Sequence, residues 1–137
     1  MALVCIGMLL VSCGSKRLDN PKAQFIRDFG LNIEKKDCVL EELFNNYEGV
    51  PYEGIALYKL TVGEDVRQAF LQWERFPLPE AAENFLESLS AYVELPSITD
   101  GYWKMVDRNP GTSAYTNVSL CVYDGATGAA YLLTMDI

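Results

Sequence analysis

The chain of 137 residues contains no histidine, and this absence excludes several kinds of site. Catalytic triads of the Ser-His-Asp type, Cys-His nucleophiles and zinc sites with imidazole ligands all require that side chain. A pH switch that depends on imidazole protonation is excluded for the same reason. Any chemistry of this protein must therefore use other groups.

Basic residues are also scarce, with 11 Lys and Arg against 19 Asp and Glu, and the formal net charge is −8. A strongly acidic protein repels the phosphate backbone, so nucleic acid is not expected as a partner. Residues 16–36 depart from this balance, because six basic and three acidic residues leave a local charge of +3. Such a stem can rest on anionic headgroups, or it is an ordinary solvated surface with a chance asymmetry.

No charged residue occurs in the first twelve positions, Met1–Ser12, which read MALVCIGMLLVS. This run is too short for a transmembrane helix, which needs roughly 20 apolar residues. An apolar segment that ends in small residues predicts a secretory signal at 1–12. The alternative is a buried amino-terminal strand or helix.

The residues that follow sharpen this prediction, because Leu10-Val11-Ser12-Cys13 resembles the lipobox of bacterial lipoproteins. The resemblance implies that the chain is cleaved before Cys13 and that its thiol, as a nucleophilic thiolate, is acylated. Residues 14–20 are small and polar, which predicts a lipid-anchored tether at 13–20. We therefore expect an extracytoplasmic protein held on the cell membrane by acyl chains at Cys13.

Residues 21–137 contain no repeat or second linker and are predicted to form a single domain. Pro21 followed by Gly30 predicts a short helix. Apolar stripes at helical spacing predict two central helices, after Thr61 and from Glu80. Short apolar clusters between Leu31 and Phe44 predict strands with a turn at 34–37, and further strands are predicted at 52–62, 102–108, 117–124 and 129–136, the last two as a hairpin. This order predicts an α+β fold, with an antiparallel sheet of about five or six strands and the two central helices on one face.

Several of these segments together resemble small secreted lipoproteins of Gram-positive bacteria. The segments are WERFPLP at 73–79, GYWKMVDR at 101–108 and the hairpin at 117–136. Some exported lipoproteins of this size act as immunity proteins that neutralise a toxin at the cell surface. The resemblance therefore implies a binding role of this kind.

Two thiols remain in the predicted domain, Cys38 and Cys121. A disulfide between them is possible outside the cell, where it would contribute roughly 3–5 kcal/mol to stability. The alternative is that both are buried free thiols that pack as small apolar side chains.

Catalytic, metal and cofactor sites are not predicted. The acidic pairs Glu41-Glu42 and Glu64-Asp65 are adjacent in the chain, which points their carboxylates in different directions. Asp124-Gly125 lacks the alternating ligands of a calcium loop, and no glycine-rich phosphate loop is present. We therefore expect a protein without enzymatic activity.

Tyrosines are abundant, at eight in the chain. If the helices cover one face of the sheet, the other face is expected to present Tyr102, Lys104, Tyr123 and Tyr131 to a partner. Tyrosines that cap the core are the alternative. The acidic domain favours a protein partner with a basic surface, as in immunity-type toxin neutralisation. Other hypotheses are a module that binds a small ligand or a cell-envelope polymer, and a carboxylate-dependent hydrolase.

The lipid anchor is tested by metabolic labelling of cells that express the chain, using a fatty-acid probe. We expect the native protein to incorporate the probe and Cys13→Ser to incorporate none, because only the thiol at position 13 can form the thioether. A native protein without label would contradict the anchor and the location derived from it.

Overall fold

A computed structural model describes residues 21–34, 37–48, 53–111 and 116–137 of the chain. The predicted signal segment at 1–12, the tether at 13–20 and Cys13 lie outside these ranges. No helix in the described ranges is long and apolar enough to cross a membrane.

The described ranges form an α+β domain with one six-stranded antiparallel sheet, which confirms the predicted class. Along the sheet the strands follow the order β1-β2-β6-β5-β4-β3. The strands are β1 (Val39–Asn45), β2 (Gly54–Thr61), β3 (Glu74–Arg75), β4 (Gly101–Asp107), β5 (Asn117–Asp124) and β6 (Ala129–Asp136). The helices are α1 (Pro21–Phe29), α2 (Glu64–Phe70) and α3 (Glu80–Ser88).

The ends of α1 follow from its sequence. Pro21 occupies the first helical position, where its missing N–H removes no helical hydrogen bond. The helix ends at Gly30, which adopts a φ of 71° and donates its N–H to the carbonyl oxygen of Ile26 at 2.8 Å. A left-handed residue at this position suits glycine because it has no Cβ.

The predicted hairpin is present, and its turn is held by Asp124. The carboxylate of Asp124 accepts hydrogen bonds from the N–H of Ala126 and the hydroxyl of Thr127, both at 3.0 Å. Its carbonyl oxygen accepts from the N–H of Gly128, which has a φ of 76°. The turn fixes the register of β5 against β6 and thereby decides which side chains share a face.

Both faces of the sheet are covered by helices. Cys121 and Leu132 face a core that includes side chains of α1 and α2, which we call the first face. Leu120 and Leu133 face a second core that includes side chains of α3, which we call the second face. The central strands are therefore apolar on both sides.

This arrangement corrects the prediction that the two central helices lie on one face, because α2 and α3 lie on opposite faces. Between them in the chain, the two-residue strand β3 forms the edge of the sheet beside β4, and the chain passes around that edge. The physical reason is that apolar side chains on both sides of β5 and β6 must be shielded from water.

Phe70 tests the packing of the first face. Its ring is fully buried and stacks on Tyr123 at a centroid distance of 4.8 Å. We expect Phe70→Ala to lower the free energy of unfolding by about 3–5 kcal/mol, because it leaves a cavity in the core. The neighbouring Leu71 is 37% exposed, and Leu71→Ala should lower it by less than about 1 kcal/mol. Urea unfolding measures both variants, and equal losses would contradict the packing described here.

Candidate functional site

An acidic surface surrounds α3. The segment between Arg75 and Lys104 contains five acidic residues and no basic one. One of the five, Asp100, lies 3.4 Å from Arg75 in an exposed ion pair. The other four are exposed and have no ion-pair partner in the described part of the chain: Glu80, Glu83, Glu87 and Glu94. We call these four residues, together with Tyr92, the acidic α3 surface.

The exposure of these glutamates follows from the packing of α3. Ala82, Phe85 and Leu89 point into the second core and are buried. Because the apolar residues form one stripe of the helix, the glutamates of α3 lie on the side that faces solvent. Glu80 and Glu83 also lie in the first turn, where the helix dipole favours negative charge.

An apolar cavity of about 380 Å³ opens within this surface. Its walls come from α3, from Phe76 and Leu78, and from the irregular segment 93–98, while Val122 of β5 contributes from the sheet. The segment around Leu95-Pro96 forms neither a helix nor a strand, and no regular element therefore fills this space. The cavity has the size of a pocket for a small ligand or for a few side chains of a partner.

Two of the exposed glutamates, Glu87 and Glu94, also line this cavity. An apolar group that enters it therefore meets carboxylates at the same place. Lys and Arg combine an aliphatic stem with a cationic head, so side chains of this kind match both properties.

A second cavity of about 380 Å³ borders the same surface. Leu89 and Tyr92, from the end of α3 and the turn after it, line this cavity together with Ile137, Glu48 and Glu53. Tyr92 is 57% exposed and Ile137 is 64% exposed. Exposed aromatic and aliphatic side chains beside carboxylates are typical of protein recognition surfaces.

The four residues predicted as a partner-binding surface do not form one. Tyr102, Lys104 and Tyr123 lie on the first face, whereas Tyr131 packs against the second core. Tyr123 is only 1% exposed and stacks on Phe70, and Tyr102 is half-buried under the guanidinium of Arg75. The prediction assumed that this face was free of helices, and α1 and α2 cover it. Lys104 alone among the four is exposed.

The two thiols of the domain are free and buried in the same core. The structure therefore shows Cys38 and Cys121 as buried free thiols, which was the alternative to a disulfide between them. Burial raises the pKa of the Cys121 thiol well above its usual value, which keeps it protonated and a poor nucleophile. In the described ranges, no group of three acidic or cysteine side chains is arranged to hold a metal ion.

A buried polar cluster joins α1 to the sheet, and sequence reasoning missed it. From α1, Gln24 donates to the hydroxyl of Thr134 at 2.7 Å, and Asp28 accepts from the hydroxyl of Ser119 at 2.6 Å. Ser119 and Thr134 are cross-strand partners on β5 and β6. The hydrogen bonds thus attach the helix directly to the centre of the sheet.

Arg108 lies at the centre of this cluster. Its guanidinium donates to Asp136 at 2.6 Å and to the hydroxyl of Thr134 at 3.0 Å, and it lies 3.7 Å from Asp28. The side chain of Asp28 is only 4% exposed. Because buried charges are costly unless they are paired, this carboxylate depends on the Arg108 guanidinium, on Arg27 at 3.6 Å and on the hydroxyl of Ser119.

Tyr47 completes the cluster with a hydrogen bond from its hydroxyl to Asp136 at 2.8 Å. Burial raises the pKa of Tyr47 above its ordinary value, and the Asp136 carboxylate adds to the shift. The hydroxyl is therefore held in the protonated form that donates. Gly54 makes room for this residue, because a Cβ at position 54 would lie 2.5 Å from the Tyr47 Cα.

Comparisons of the chain with protein-family models, with curated proteins and with solved structures give no match. The resemblance to Gram-positive lipoproteins therefore stays a prediction from the sequence.

Arg108→Met tests whether the cluster fastens α1. We expect it to lower the free energy of unfolding by about 3–5 kcal/mol, because it leaves Asp136 without its cation and leaves the buried Asp28 with only the exposed Arg27 at 3.6 Å. Arg75→Met is the matched control, since both members of its ion pair with Asp100 are more than two-thirds exposed. That control should change stability by less than about 1 kcal/mol. Chemical unfolding measures both, and similar losses for the two variants would contradict the role given to Arg108.

Proposed function

We propose that this protein is a membrane-anchored extracytoplasmic lipoprotein that binds a protein partner with a basic surface and catalyses no reaction. The observation that carries the proposal is the acidic α3 surface with its apolar cavity. Glu87 and Glu94 line that cavity, the exposed Tyr92 lines the second cavity beside it, and the segment between Arg75 and Lys104 contains no basic residue. This combination favours a partner that presents cationic and apolar side chains together.

The position of α1 is compatible with an anchor at the amino terminus. The predicted tether leads into α1, and α1 lies on the first face, whereas α3 lies on the second. An anchor at Cys13 would therefore leave the acidic α3 surface accessible. The basic residues Lys22 and Arg27 belong to α1, next to the tether, where they would favour an anionic membrane surface.

The charges and the cavities have different roles in this proposal. Exposed ion pairs contribute only about 0–1 kcal/mol each, because water and salt screen them. Their main effect is on the association rate, since a field of one sign steers a partner of opposite charge. Affinity comes instead from apolar groups that enter the cavities and lose contact with water.

A secreted cationic toxin is a partner with this chemistry, and its neutralisation at the cell surface is the specific function that we propose. An acidic surface that covers cationic residues of a toxin competes with the target of those residues. Such neutralisation needs tight binding and no turnover, which fits a surface built from glutamates and apolar cavities.

Crosslinking of the full chain in its native cells tests the location of the surface. Tyr92 is replaced by a photo-reactive phenylalanine derivative, and Gln68, exposed on α2, is replaced in the same way as the control. We expect position 92 to capture a protein with a basic surface and position 68 to capture none. Capture of an acidic protein from position 92, or equal capture from both positions, would overturn the proposal.

The kinetics of binding to the purified partner test the charge mechanism. We expect the association rate to fall by about tenfold between low and physiological salt, because steering is screened. Glu87→Gln combined with Glu94→Gln should lower the rate several-fold. Glu64→Gln combined with Asp65→Asn removes the same charge from α2 and should leave the rate nearly unchanged. An association rate that is independent of salt would exclude steering by the acidic α3 surface.

A further inference from the structure

Both tryptophans of the chain line a single cleft at the edge of the sheet. The chain has only two, Trp73 and Trp103, and they border a cavity of about 370 Å³. The other lining residues are Gln72, Glu74, Lys104 and Met105. This cleft is separate from the two cavities beside α3, because it shares no lining residue with either.

The cleft exists because β3 is very short. Glu74 pairs with Trp103 and Arg75 pairs with Tyr102, and no further residue of β3 pairs with β4. Trp73, which precedes β3 and follows α2, does not pair with β4. The chain before β3 therefore diverges from β4. Trp73 packs with the first core and Trp103 with the second, and the cleft therefore wraps around the sheet edge.

The indole N–H of Trp103 is a hydrogen-bond donor without an acceptor among the described residues. Its nitrogen is buried and has no hydrogen-bond partner in the part of the chain that the structure describes. A buried donor of this kind normally has an acceptor, because it has lost its hydrogen bond to water. Because Trp103 lines the cleft, a ligand that displaces the groups covering this nitrogen would satisfy it with an acceptor oxygen.

Trp73 provides an aromatic surface that the core holds in place. Its ring packs edge-on against Phe70 at 4.9 Å and lies 5.6 Å from the ring of Phe29. The ammonium group of Lys104 lies over the ring at 5.9 Å from its centroid. Lys104 is exposed, so a flexible side chain covers this part of the ring and can move aside for a ligand.

The polar groups of the cleft indicate the class of ligand. Glu74 and Lys104 carry opposite charges, so the cleft as a whole favours neither an anion nor a cation. Gln72, Glu74, Lys104 and the Trp103 indole together offer both donors and acceptors. Indole rings present flat apolar faces beside these groups. A ligand that matches this charge balance, these donors and acceptors and the indole faces has a neutral ring with apolar C–H faces and hydroxyl groups around its rim.

We propose that this cleft binds a neutral carbohydrate, with one or two sugar rings held against the tryptophans. Sugar C–H groups contact the indole faces, and sugar hydroxyls donate to Glu74 and Gln72 and accept from Lys104 and the Trp103 N–H. This site is independent of the acidic α3 surface and of the proposed protein partner. A peptide that adds as a strand to the open part of β4 is the competing occupant, and the experiment below separates the two.

The experiment is a titration of the purified full chain with neutral oligosaccharides of N-acetylglucosamine, of β-linked glucose and of α-linked glucose. Because both tryptophans line the cleft, a change in indole fluorescence reports on this site alone. Calorimetry provides the affinity independently of the fluorophore. We expect at least one oligosaccharide to change the emission and to saturate below about 10 mM. A blocked Thr-Val-Thr-Val peptide is titrated in parallel as the strand-forming competitor.

Two variants test the contacts. Trp103→Phe keeps a ring and removes the N–H, and it should weaken sugar binding by about tenfold, the effect of one lost hydrogen bond. Gln72→Ala changes an exposed side chain of the cleft and should also weaken binding without affecting folding. Gln68→Ala, an exposed glutamine outside the cleft, is the matched control and should bind as the native chain does.

Three results would overturn the proposal. One is that no oligosaccharide changes the emission or releases heat. Another is that Gln72→Ala and Trp103→Phe both bind the sugar as tightly as the native chain. The last is that the blocked peptide binds and the sugars do not, which would assign the cleft to an extended peptide. None of these results bears on the acidic α3 surface, so the two proposals fail separately.

Discussion

The central strands β2, β6 and β5 bury apolar side chains on both of their faces, and the rest of the domain is arranged to meet this constraint. A sheet of this kind needs a covering layer on each side. Two helices cover the first face and one covers the second, so the chain must go around an edge between α2 and α3. That passage leaves β3 short and opens the tryptophan cleft. The single helix on the second face leaves the apolar cavity beside α3 unfilled.

Much of the fold was predictable because local patterns determine it. The bounds of β5 and β6 match the prediction, since alternation of side chains and the Asp124–Gly128 turn mark them directly. The position of α2 and α3 relative to the sheet was not predictable in this way. It depends on whether Cys121 and Tyr123 face solvent or the core under α1 and α2. Both belong to a strand in which every residue from Val118 to Asp124 is buried, and a run of that kind indicates cover on both sides.

The candidate sites illustrate the same difference. The long interval without a basic residue between Arg75 and Lys104 is visible in the sequence, but the sequence analysis placed the partner surface at the tyrosines of the sheet instead. The cavity inside the acidic α3 surface could not be predicted from the sequence, because segment 93–98 has no periodic pattern. The buried polar cluster was also hidden, since Gln24 and Thr134 are 110 positions apart and neither belongs to a motif. Contacts at that separation follow from strand order, which the local pattern does not determine.

The polar cluster under α1 also determines how the domain responds to mechanical load. A pull on α1 is resisted by Phe25 and Phe29 and by the hydrogen bonds of the helix to Ser119 and Thr134. Those two residues belong to β5 and β6, which have paired neighbours on both sides. Force on α1 is thus passed to two interior strands of the sheet and not to an edge strand. Attachment to these interior strands therefore opposes the separation of α1 from the sheet under mechanical load.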